Sequence, residues 1–152
     1  ALRGSEDELL QLAASVQQGS EHPLARAIVD YAIARNLAVG TVSDFRSHTG
    51  RGVIGTVAGR EIMIGNRRLL GEQQIEAGAA AGIAENHEQQ AQSAVFVADR
   101  DGVLGVLAIA DQLRPEAIAA VATLRDMGIR TLLLSGDAEL VAAATRAYPA
   151  DA

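Results

Sequence analysis

The sequence predicts an α+β fold: an antiparallel sheet flanked by helices, followed by a partial α/β segment. Three observations carry this. Two apolar strand pairs are joined by tight turns, Ala58-Gly59-Arg60 and Asp99 to Gly102. Several stretches place apolar residues at helical spacing. From Gly105 onward the order becomes strand, helix, strand, helix, in apolar runs without alternation, which is the grammar of a parallel sheet. A boundary is therefore expected near residues 105–110, giving units of 1–106 and 107–152. The second unit holds two strands and two helices, fewer than the roughly five strands of an ordinary sheet.

Each element has a local reason. Ser5-Glu6-Asp7-Glu8 ahead of Leu9, Leu10, Leu12, Ala13 and Val16 reads as a capped amphipathic helix that Gly19 ends. Pro23 suits the first turn of a second helix through Ala27, Ile28, Tyr31 and Ala32. Val42 to Thr49 is extended, and Gly50-Arg51-Gly52 breaks it. Val53 to Val57 and Glu61 to Ile64 form the first hairpin. Asn66 starts a short helix, and an alanine-rich helix is expected from about Glu72 to Gln90. Ser93 to Ala98 and Val103 to Ala110 form the second hairpin. Beyond it, Pro115 to Met127 and Ala138 to Ala147 read as helices around a strand from Ile129 to Leu134.

Composition excludes several chemistries. Apolar residues make up 49% and charged residues 21% of the 152, which fits a globular chain. All 13 basic residues are arginine. Without lysine there is no phosphate loop ending in Gly-Lys-Ser/Thr and no Schiff-base nucleophile. Aromatics at 3% and a net charge of -6 argue against a nucleic-acid platform. Zero cysteines exclude disulfides and thiolate metal sites, and fit a reducing compartment. The longest apolar stretch, Val103 to Ala110, falls far short of the about 20 residues that span a bilayer. The N-terminal stretch is acidic and amphipathic, unlike a signal peptide.

Five motifs carry possible chemistry. Ser20-Glu21-His22-Pro23 puts a carboxylate and an imidazole at a helix entrance, where free N–H groups suit a ligand with polar edges. The bland alternative is a capping sequence with a structural histidine. Gly50-Arg51-Gly52-Val53 and Gly65-Asn66 can let backbone approach a ligand, or can be a turn and a helix start. Leu134-Ser135-Gly136-Asp137 ends a buried strand in a hydroxyl and a carboxylate, and Asp111 ends the strand before it. Such an edge suits phosphate and Mg²⁺, with helix caps as the alternative. Asp99-Arg100-Asp101-Gly102 resembles the nucleophile motif of haloacid-dehalogenase-type phosphatases, but equally makes a hairpin turn. Only eight residues separate Gly102 from Asp111, and that class's lysine is missing, which favours the hairpin.

Together the motifs resemble the heavy-metal (type IB) P-type ATPases, the copper-transporting branch most closely. The resemblance runs over nearly the whole chain and includes Asp111-Gln112-Leu113-Arg114-Pro115 and Leu134-Ser135-Gly136-Asp137. It implies a nucleotide-binding domain at 1–106 and part of a haloacid-dehalogenase-like phosphorylation domain at 107–152. It assigns Glu21 and His22 to the adenine end of ATP. Gly50, Gly52 and Val53 would lie along the nucleotide, with Gly65 and Asn66 completing the pocket. Asp111, Ser135, Gly136 and Asp137 would stand near the phosphoryl group and Mg²⁺. Ser135 replaces the family's usual threonine and keeps the hydroxyl.

The resemblance also implies missing parts. The family's phosphorylated aspartate lies in an Asp-Lys-Thr-Gly-Thr motif, which a chain without lysine lacks. The expectation is a cytoplasmic piece of a membrane transporter that binds ATP and cannot be phosphorylated by itself. Its partners would be the rest of the phosphorylation domain, the actuator domain and the transmembrane domain, with no nucleic acid and no direct membrane contact. The competing readings are a small phosphatase using Asp99 and Asp101, and a regulatory module that binds no nucleotide.

Overall fold

The computed structural model describes residues 1–90, 92–110 and 115–129. Helices α1 (Glu6–Gln17) and α2 (Pro23–Ala34) come first, then strands β1 (Val42–His48), β2 (Gly52–Val57) and β3 (Arg60–Gly65). Helices α3 (Arg67–Glu72) and α4 (Ala80–Gln89), strands β4 (Ser93–Asp99) and β5 (Gly102–Ile109), and helix α5 (Pro115–Asp126) follow. The strands form one antiparallel sheet in the order β1-β2-β3-β4-β5. No helix among the described residues is long and apolar enough to cross a membrane.

Helices cover both faces of the sheet. Leu9, Leu10, Ala13 and Val16 of α1, with Ile28 and Ala32 of α2, pack against Val53, Val57, Ile62, Ile64, Val97 and Leu104. On the other face, Leu70, Ala80 and Ala84 pack on Phe96 and Ala98, and Leu69 packs on Ile54 and Met63. Burying a large aliphatic side chain contributes about 1.5–3 kcal/mol, so this double cover is the main source of cohesion.

The predicted elements form where the sequence places them, with two corrections. Ser5 caps α1 by accepting the Glu8 N–H at 3.1 Å, and Asn66 caps α3 by accepting from Arg68 and Leu69. The helix expected from Glu72 to Gln90 is broken. Gln74 and Gly78 take φ of 58° and 51°, and Ile75 turns inward against Leu70 and Ile54, so α4 begins only at Ala80. Glycines at 71 and 78 weaken the helix in this stretch, and Ile75 is half-buried between the two clusters. The second correction concerns Val106 to Ala110, read as the opening strand of a parallel unit. Residues 106–109 instead continue β5, antiparallel to β4. The run lacks alternation because both its faces are covered: Val103 and Val106 meet one cluster, Leu104 and Leu107 the other. The strand and helix expected from Ile129 to Ala147 extend beyond the described residues.

Asp99 locks one end of the sheet. Its side chain is only 5% exposed, and Arg60 of β3 donates to its Oδ2 through Nε at 3.0 Å and Nη2 at 2.5 Å. Oδ1 accepts from Arg3 at 3.2 Å and from the Asp101 N–H at 2.9 Å. The same Arg60 reaches Glu8 of α1 at 3.6 Å. Burial pushes the carboxyl pKa up, but the Arg60 and Asp101 hydrogen bonds and the charges of Arg60 and Arg3 outweigh it, so it lies below its ordinary value. A lowered carboxylate pKa stabilises the fold above the unfolded value of about 3.9, and this contribution disappears as pH falls through the folded pKa. We expect Asp99→Asn to lower unfolding free energy at pH 7 by about 2 kcal/mol in urea titrations. Between pH 4 and pH 2 the variant should lose less stability than the wild type.

Candidate functional site

The end of the sheet opposite Asp99 gathers most of the expected site. The carbonyl of His48 accepts the Arg51 N–H at 2.9 Å, closing a tight turn in which Gly50 takes φ of 70°. Gly52 then pairs with both His48 and Gly65. A Cβ on Gly52 would stand 2.1 Å from the Ile64 carbonyl oxygen and 2.5 Å from the Gly65 Cα. On Gly65 it would stand 2.3 Å from the Arg51 carbonyl oxygen. Two backbones therefore touch where any side chain would separate them.

Asn66 fastens this corner. Its Nδ2 donates to the Gly50 carbonyl at 2.9 Å, and its N–H to the Arg51 carbonyl at 2.8 Å. Its Oδ1 meanwhile accepts from α3. One side chain thus caps a helix and pins the glycine turn. The structure brings together Gly50, Gly52, Val53, Gly65 and Asn66 in this way. Val53 itself faces the α1 cluster and is buried, and its strand is paired on both sides, with Ser47 and Ile64 opposite it. Gly50 has no atom within 4 Å of where its Cβ would stand, which leaves open space above the turn.

Glu21 and His22 lie in the α1–α2 connection, both exposed. His22 is itself the N-cap of α2: its Nδ1 accepts the Leu24 N–H at 3.2 Å, and its own N–H donates to Ser20 Oγ at 3.3 Å. An accepting Nδ1 leaves the proton of a neutral ring on Nε2, so the exposed ring edge presents a donor. The capping alternative and the ligand reading are thus both met by one ring, using different nitrogens. The connection and the glycine corner share β1. Gly19 packs on the Phe45 ring, where an added Cβ would come within 2.7 Å, and three residues later His48 faces Gly52.

Asp99 and Asp101, the alternative phosphatase pair, occupy the β4–β5 turn, with both Asp99 oxygens engaged as described. A cavity of about 1000 Å³ lies beside them, lined by Asp44, Arg46, Arg60, Glu61, Arg100 and neighbours. A more apolar groove of about 380 Å³ runs between α1, α2 and β5, past Tyr31. Neither contains a residue of the glycine corner, where Gly50 and Arg51 are exposed and Gly65 is buried. Asp111, Ser135, Gly136 and Asp137 lie outside the described residues. Among those described, no three His, Cys, Asp or Glu side chains are grouped to hold a metal ion.

The geometry sorts the glycines by cost. Gly52→Ala should lower stability by about 3 kcal/mol or more, because φ of 148° and a backbone clash combine. Gly50→Ala meets no atom and should cost about 1 kcal/mol. Asn66→Ala should cost about 1–2 kcal/mol through the lost cap and pin. Urea unfolding of the three variants checks the order.

Comparison with known proteins agrees with this architecture. A model of the haloacid dehalogenase-like hydrolase family matches residues 2–151. A copper-exporting P-type ATPase of Vibrio cholerae is 41% identical over 93% of this chain, which spans 15% of that protein's length. The crystal structure of a zinc-transporting PIB-type ATPase in the E2.Pi state is 36% identical, with a TM-score of 0.74, over 96% of this chain and 24% of that one. The isolated N-domain of HMA8, a copper-transporting P-type ATPase, shares the fold with a TM-score of 0.58 at 24% identity, over 70% of this chain and 92% of that domain. The chain belongs to the haloacid dehalogenase-like hydrolases, and within them to the heavy-metal P-type ATPases.

Proposed function

We propose that the chain is the ATP-binding cytoplasmic portion of a heavy-metal-exporting P-type ATPase, with Cu⁺ as the cargo. The observation that carries this is the glycine corner: Gly50, Gly52, Gly65 and Asn66 are joined by close backbone packing and an Asn66 hydrogen bond, with Gly50 exposed and Gly65 buried, and His22 stands on a connection that packs on β1. Residues 1–106 form the nucleotide-binding unit and 107–152 part of the phosphorylation domain. Copper is favoured by the 41% identity to a copper-exporting relative and by the Glu in Ser20-Glu21-His22-Pro23.

Glu21 and His22 take the adenine end. The imidazole Nε2–H donates to the base, and the carboxylate accepts from an amino group. The Gly50–Val53 backbone lies along the nucleotide, where the absence of a side chain at Gly50 permits close approach. Asn66 holds that backbone in place before the ligand arrives. Asp111, Ser135, Gly136 and Asp137 would hold Mg²⁺ and orient the phosphoryl group; the bound ion would neutralise charge on the phosphate oxygens. The acceptor aspartate lies outside this sequence. The domain's contribution is to hold the γ-phosphate near that acceptor, which turns a bimolecular transfer into an effectively intramolecular one. An open site suits this work, since the nucleotide must leave in each cycle.

Calorimetric titration with ATP should show binding that His22→Gln weakens about tenfold, the value of one lost hydrogen bond. Unaltered binding in the variant would count against the assigned pocket. Incubation of this chain with γ-labelled ATP and Mg²⁺ should leave no acid-stable, hydroxylamine-labile label. A stable label would overturn the placement of the acceptor.

A further inference from the structure

His48 closes β1 beside the glycine corner, and its ring has a nitrogen with no partner among the described residues. Nε2 is shielded from solvent, and no described residue offers it a hydrogen bond. Native proteins pair nearly all such atoms, so the exception calls for a reason. Strand pairing locates the ring. His48 opposes Gly52, and Gly52 opposes Gly65. Directly opposed residues of antiparallel strands share a face, so the imidazole stands beside a floor of two glycines. That face is the one on which Ile54, Met63 and Leu69 pack. The His48 carbonyl holds the Gly50 turn through the Arg51 N–H, so ring and turn move together.

We propose that His48 is a nucleotide-contacting residue, and that the nucleoside part of the ligand supplies the missing partner of Nε2. This rests on reading the glycine corner as the ATP site. The space above Gly50 is open, two residues from the ring. A turn of the ring about its side-chain bonds would be needed to bring Nε2 to a ligand there. Burial without a partner disfavours the unbound arrangement, so binding and relief of that cost act in the same direction. An uncharged base or ribose group is the fitting partner. The adjacent cation, Arg51, is already paired with Glu72 at 2.6 Å.

Calorimetry with ATP and with AMP, on wild type, His48→Ile and His48→Gln, tests this. His48→Ile should weaken both ligands about tenfold while leaving the urea midpoint equal or higher, because it removes an unsatisfied polar atom. His48→Gln should keep most of the affinity. In wild-type protein with ¹⁵N-labelled histidine, the His48 Nε2 resonance should shift on addition of AMP. This readout and His48→Gln decide the matter should His48→Ile fail to fold. Equal affinity in the His48 variants with an unmoved resonance, alongside weakened binding in His22→Gln, would remove His48 from the site and leave the site standing. A loss confined to ATP would overturn the nucleoside assignment. Failure of the wild type to bind ATP would overturn both readings.

Discussion

The contact between Gly52 and Gly65 is the constraint on which the site depends. Two strands meet with no side chain between them, and the backbone of Arg51 is pressed against the start of α3. Only then can Asn66 reach the Gly50 carbonyl while capping its own helix. The turn that would receive a nucleotide is thus set by hydrogen bonds and close packing before any ligand is present. Preorganisation of this kind reduces the ordering cost of binding.

The opposite end of the sheet is built on charge. Asp99, Arg60, Arg3 and Glu8 tie β3, β4 and the entry to α1 together. The sheet therefore has a backbone-built end and an ion-paired end, with aliphatic cores on both faces between them. In the proposed site, a chain without lysine would meet a nucleotide without a lysine phosphate clamp. Recognition in the proposed site relies on backbone and imidazole, with Arg51 paired to Glu72 and Arg67 to Glu85.

Much of this was legible in the sequence because the signals were local. Ser5, Pro23 and Asn66 announce helix starts, and Ala58-Gly59 and Asp101-Gly102 announce hairpins, each through chemistry confined to a few residues. The break before α4 was not legible, because it depends on Ile75 finding a place against residues far away in the chain. Nor was the true partner of residues 106–109, since an apolar run looks the same whether its double cover comes with parallel or antiparallel neighbours. For the site, the spacing named Gly50, Gly52, Gly65 and Asn66. The packing of Gly52 on Gly65 and the place of His48 beside them follow from strand register, which no short motif encodes.

The most direct measurement of the central claim is an amide ¹H–¹⁵N NMR titration of the chain with ATP. The account predicts that the largest shifts fall on Glu21, His22, Gly50 to Val53, Gly65 and Asn66, with the Asp99 to Gly102 turn unmoved. Shifts centred on the cavity lined by Arg46, Arg60 and Asp101, or no shifts at all, would contradict it.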